Sequence, residues 1–152
     1  MPRSAYFPPG RLEAMSGRVQ ALAAEVGLVM RTPEWMVNSR LALASAEFAR
    51  ERGAFDAVHR ALFRVHWEGP GRLDDVGELK RVAADAGLDA RELEEALSAG
   101  TYEEVLDAHR QEATAVGINA IPAHIFDRRY LVVGAYPLQV YEQVLAQLSA
   151  ES

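Results

Sequence analysis

The chain has 152 residues, 49% of them hydrophobic, which suits one globular domain with a core of ordinary size. Its 22 acidic residues against 16 basic ones leave a formal net charge of −6, and no Lys/Arg run is interleaved with aromatics, which argues against nucleic acid as a partner. No apolar run approaches the roughly 20 residues that cross a bilayer, so no membrane contact and a cytoplasmic location are expected, and the absence of cysteine removes disulfides, thiolate chemistry and Cys-ligated metals.

Residues 1–10 hold Pro2, Pro8, Pro9 and Gly10 without periodicity and read as a loop or tail. Leu12, Met15, Val19, Leu22 and Val26 then recur every three or four residues before Gly27, the pattern of an amphipathic helix with a glycine stop. Arg31-Thr32-Pro33-Glu34-Trp35-Met36 breaks that pattern. Asn38 or Ser39 offers a side-chain acceptor to the first amides of a second helix, which runs to about residue 52 and stops at Gly53. Phe55, Val58, Leu62 and Val65 lie on one face of a third helix, ended by Gly69-Pro70-Gly71. Phe63 and Trp67 add a second apolar row, so burial over a wide arc is expected there. A fourth helix opens at Asp74 or Asp75, carries Val76, Leu79, Val82 and Ala83, and stops at Gly87. Asp89 caps a fifth, with Leu93 and Leu97 inward and Gly100 closing it. Thr101-Tyr102-Glu103-Glu104 matches a capping box, in which the hydroxyl takes the Glu104 amide and the Glu104 carboxylate returns to the Thr101 amide. The sixth helix it opens should reach Val116.

After this the character of the chain changes. Gly117-Ile118-Asn119-Ala120-Ile121-Pro122 reads as a helix stop, a short connection and a strand entrance. Pro122 restricts Ile121 to extended geometry and leaves its backbone edge available to a ligand, although most prolines at such a place merely start a strand. Residues 123–126 and 130–133 are short apolar runs separated by Asp127-Arg128-Arg129, the pattern of two antiparallel strands. Pro137 opens a last helix with the stripe Leu138, Tyr141, Val144, Leu145 and Leu148. With no repeat or linker in sight, residues 1–152 read as a single domain. A helical part, 11–116, and a strand–strand–helix part, 117–150, should share one core.

Few side chains suggest chemistry. His59 and His66 are seven apart on one helix, about 10.5 Å of rise, too far for a common metal ion. His109 falls on an apolar stripe and reads as a packing residue, as do the other two. His124 lies two residues beyond Pro122 with no acid, nucleophile or second ligand beside it. Glu92, Glu94, Glu95, Glu103 and Glu104 belong to helix starts and solvated faces. Ser39 and Ser45 lack a nucleophile-elbow pattern, and the glycines form neither a dinucleotide fingerprint nor a P-loop. No catalytic residue and no metal site is therefore assigned.

Four stretches carry a resemblance. They are Asn38-Ser39-Arg40-Leu41-Ala42; Ala61-Leu62-Phe63-Arg64-Val65-His66-Trp67 with Gly71-Arg72-Leu73; Ala86-Gly87-Leu88-Asp89; and Gly117 through Pro122 with Tyr130-Leu131-Val132-Val133-Gly134-Ala135. From about Arg11 onward the chain resembles the DsbA-like thioredoxin superfamily, in its FrnE-type branch, with glutathione transferase kappa and 2-hydroxychromene-2-carboxylate isomerase as relatives. The resemblance implies an α/β class, predominantly helical. Its form would be a truncated thioredoxin-like fold, with a DsbA-type helical insertion and a C-terminal ββα unit. Pro122 would be the cis-proline of that fold. Ile121 and Pro122 would bind an extended peptide or glutathione, and Gly134 and Ala135 would lie where the kappa relatives hold the glutamyl end of glutathione. Tyr136-Pro137 departs from the pattern of those relatives.

Members of the family begin with a strand, a helix opened by Cys-x-x-Cys or a catalytic serine, and a second strand, elements for which this sequence offers no counterpart. The family's dithiol–disulfide exchange is therefore expected to be missing, leaving a redox-inactive chain that binds a peptide or a small thiol. Glutathione is the one cofactor expected as possible. A glutathione-dependent isomerase or transferase and a purely structural interaction module are the rival readings. In the thioredoxin fold the strand after the cis-proline neighbours the domain's first strand. Without it, residues 123–126 should expose an edge and draw the chain into a homo-oligomer through Ala123 to Phe126.

Overall fold

The computed structural model describes residues 10–69 and 72–151. The N-terminal tail up to Pro9, the Pro70-Gly71 helix stop and the Leu12 and Met15 side chains of the first stripe lie outside the described residues. The elements run α1 (Arg11–Glu25), α2 (Arg40–Glu51), α3 (Phe55–Trp67), α4 (Val76–Asp85), α5 (Ala90–Ala99), α6 (Glu103–Ala115), β1 (Ala123–Phe126), β2 (Tyr130–Val133) and α7 (Leu138–Ala150). The class is that of a helix-dominated α/β chain, and no described helix is long and apolar enough to cross a membrane. The chain divides after Leu106 into two compact units.

The first unit is built on α2. Its buried face is made of Ala42, Ala44, Ser45, Ala46, Phe48 and Ala49, and the alanines and serine are small enough to let α3, α4 and α5 approach closely. Phe48, Val58, Leu79, Val82 and Leu93 fill the space between those helices and are almost completely buried. Ser45 is tolerated there because its hydroxyl donates to the Leu41 carbonyl at 2.8 Å. Asp75 and Asp89 cap α4 and α5 by accepting from the amides two and three residues on, and Asn38 accepts from the Arg40 amide at the start of α2. At the rim Arg40 pairs with Glu103 and Lys80 with Glu94. Tyr102, buried, donates to Glu51 at 2.6 Å, and burial together with that carboxylate raises its phenol above the usual range.

Four sequence expectations are corrected here. Phe63 is 55% exposed, so α3 is not buried over a wide arc. Its ring instead packs on His59, which stacks in turn on Phe55, forming a surface row of rings outside the face held by Val58, Leu62 and Val65. The Thr101 capping box gives way to the end of α5. Gly100 takes the left-handed conformation and the Thr101 amide donates to the Ala96 carbonyl, so α6 begins only at Glu103. His109 is exposed and packs in no core. The α1 stripe leaves Val19 and Leu22 nearly half exposed, with Ala23 the buried residue of that helix.

The second unit contains the greater part of α6, the hairpin and α7. β1 and β2 pair antiparallel as Ala123↔Val133, His124↔Val132, Ile125↔Leu131 and Phe126↔Tyr130. They are joined through Asp127 and Arg128, both with positive φ, at 49° and 56°. No described residue after Leu106 is buried. The physical reason is size: two four-residue strands with α7 and the greater part of α6 are too little to enclose an interior of their own.

Candidate functional site

The end of the hairpin opposite its turn gathers the residues singled out from sequence. The Ile121–Pro122 peptide bond is cis. The Pro122 carbonyl accepts from the Gly134 amide at 2.7 Å, which extends the β1–β2 ladder by one rung. Gly134 has φ 112°, a conformation that favours glycine, and sends the chain into Ala135 and Tyr136. Ile121 and Pro122 are thereby brought to the same end as Gly134 and Ala135. Ile121 is 89% exposed, a large apolar side chain with almost no cover.

That rung also fixes which way the backbone faces. In an antiparallel strand the N–H and C=O of one residue point to one side, and successive residues alternate. Pro122, His124 and Phe126 turn theirs toward β2, and the Phe126 carbonyl accordingly accepts from the Arg129 amide across the turn. Ala123 and Ile125 therefore turn theirs to the opposite edge, where no described strand pairs with them.

The side chains alternate likewise. His124 and Phe126 lie on the α7 face, against the Tyr141 ring at centroid distances of 5.1 and 6.2 Å. Ala123 and Ile125, with Leu131 and Val133 across the pair, form the other face, on which Ile125 is 46% exposed.

Tyr141 is the residue that sequence reasoning missed. It stood only as one member of the α7 stripe, yet its hydroxyl donates to the Gly134 carbonyl and accepts from the Tyr136 amide, both at 3.3 Å. The signal was present in that a tyrosine among leucines and valines carries a polar tip that needs a partner. At the far end Arg129 pairs with Glu151. The Gln147 and Tyr130 side chains, with Arg129, hold the Glu151 carboxyl below its usual range, while the same carboxylate raises the Tyr130 phenol. Among the described residues no group of three or more His, Asp or Glu is placed to hold a metal ion.

The sequence matches the DSBA-like thioredoxin domain over residues 1–146. The chain belongs to the DsbA-like thioredoxin family. The crystal structure of a probable DsbA oxidoreductase from Streptomyces coelicolor superposes with a TM-score of 0.80 at 32% identity. The alignment covers 92% of this chain and 61% of that one, so this DsbA-like chain spans less than two thirds of the length of the structure it matches. Comparison with curated proteins gave no match. The sequence contains no cysteine, and hence no thiolate with which to exchange a disulfide.

Proposed function

We propose that this DsbA-like chain, of the FrnE-type branch, binds an extended polypeptide by strand addition along Ile121, Pro122 and the free edge of β1, without redox turnover of its own. The observation that carries this reading is the outward backbone of Ala123 and Ile125, without a strand partner among the described residues, beside a nearly fully exposed Ile121. Backbone hydrogen bonds supply affinity in such a mode and need no cysteine. Apolar side chains at alternate positions of the peptide would rest on the Ala123, Ile125, Leu131 and Val133 face. A reducing, cytoplasmic setting accords with the acidic, cysteine-free composition.

Glutathione is the competing ligand, held at Gly134 and Ala135. Against it, the Gly134 amide is already engaged by Pro122 and is not free for a carboxylate.

Fluorescence anisotropy with a labelled, reduced and alkylated unfolded polypeptide tests the proposal. Saturable binding in the micromolar range, weakened by Ile125→Lys and indifferent to millimolar glutathione, is expected. Displacement by glutathione would favour the transferase-like reading, and no binding of either would overturn both. In an insulin-reduction assay the chain should match the buffer blank, and turnover above it would overturn the redox-inactive part.

A further inference from the structure

We infer that, when no client occupies it, the free edge of β1 pairs antiparallel with β1 of a second copy of this chain, about a two-fold axis perpendicular to the sheet. The inference rests on the same open edge as the peptide-binding reading but commits to a different occupant.

The strand is complementary to itself. Directly opposed residues of an antiparallel pair lie on one face of the sheet, so a two-fold that keeps the Ala123/Ile125 face continuous must oppose residues of equal parity. Placing His124 opposite His124 of the second copy sets Ala123 against Ile125 of the second copy, and Ile125 against its Ala123. In that register the four groups on each strand that have no partner among the described residues, the N–H and C=O of Ala123 and of Ile125, all find partners. Pro122 then faces Phe126 of the second copy. Both residues turn their backbones to β2, so the amide that proline lacks is not needed.

The neighbouring register, Ile125 opposite Ile125 of the second copy, is poorer. It draws Asp127, which has φ 49° and belongs to the turn, into the ladder. The favoured pairing converts two marginal hairpins into one sheet ordered β2-β1-β1-β2. Both α7 helices would lie on one of its faces, with an apolar face formed by both copies on the other.

The absence of cysteine makes the register directly measurable. In His124→Cys the two new thiols face each other across the two-fold, with Cα atoms about 4.5 Å apart, within disulfide reach. In Val132→Cys they are three strand spacings apart, about 14 Å, and out of reach. With oxidised glutathione as oxidant, His124→Cys should form a covalent dimer at least about tenfold faster than Val132→Cys, given that geometric limit. Unsubstituted chain should sediment as a dimer at high micromolar concentration and Ile125→Lys as a monomer with an unchanged circular dichroism spectrum.

Equal cross-linking rates, or a monomer at every concentration, would overturn the inference. Should His124→Cys fail to fold, the sedimentation of the unsubstituted chain against Ile125→Lys decides alone. A monomer that still binds unfolded polypeptide would sink the self-pairing and leave the client reading standing, whereas a dimer that binds none would do the reverse.

Discussion

The Tyr141 hydroxyl closes the turn after β2 by donating to the Gly134 carbonyl and accepting from the Tyr136 amide, while its ring stands edge-on to the His124 imidazole. One α7 side chain thus holds both the Gly134–Ala135 turn and the inner face of β1. Tyr141→Phe keeps the ring and deletes the two long hydrogen bonds. It should cost about 1 kcal/mol, read from chemical denaturation, and should lower affinity for an unfolded polypeptide by loosening the turn. Unchanged affinity at reduced stability would show that the turn does not shape the binding edge.

Arg128 sits at φ 56°, where a side chain is strained and glycine is not. Arg128→Gly would create the Asp-Gly pair preferred at such hairpin turns. It should raise stability by about 0.5–1 kcal/mol after the entropy of the unfolded glycine is deducted. Thermal melting compares the two chains, and a lower midpoint for the variant would contradict the expectation.

Burial separates two leucines that look alike in sequence. Leu93 is completely buried between the helices of the first unit, whereas Leu138 at the start of α7 is 66% exposed. Leu93→Ala should cost about 2–5 kcal/mol and Leu138→Ala less than about 0.5 kcal/mol. Trp35 and Trp67 both lie in the first unit, so their fluorescence follows the expensive substitution.

The Asp89 carboxylate accepts from the Glu92 and Arg91 amides, and those two bonds hold its pKa below the ordinary carboxylate range. A depressed acid stabilises the fold above its unfolded pKa and loses that contribution as the pH falls through the lower, folded value. The start of α5 should therefore loosen only at pH below the ordinary aspartate range. Asp89→Asn keeps an acceptor while removing that pH dependence. An NMR titration of the Asp89 carboxyl that shows no downward shift would refute the assignment.

Legibility in the sequence followed how local each signal was. Asp75, Asp89, Gly87 and Gly100 act within a few residues, and the helices they bound were readable from pattern alone. The two strands were also readable, because residues 123–126 and 130–133 are separated by a turn too short for anything but a hairpin. What failed depended on distant neighbours. Phe63 looked inward because an apolar residue beside an apolar stripe usually is, yet it is largely exposed and its ring packs on His59 of the same helix. The Thr101 motif was correct chemistry overridden by the closure of α5 one residue earlier. In the site, Ile121 and Pro122 were visible through proline's backbone restriction. The link from Tyr141 to Gly134 joins two elements through a single hydroxyl, which no periodicity records.

With no buried residue among those described, the second unit offers its amides little shelter of its own beyond their hydrogen bonds. A thirteen-residue helix with no fully buried residue frays readily, so the amides of α7 should exchange for deuterium much faster than those of α2 or α4. An occupant on β1 would then be visible far from the contact itself. Slowed exchange would travel from His124 through Tyr141 into α7, and the region that binds would be the region that acquires order by binding.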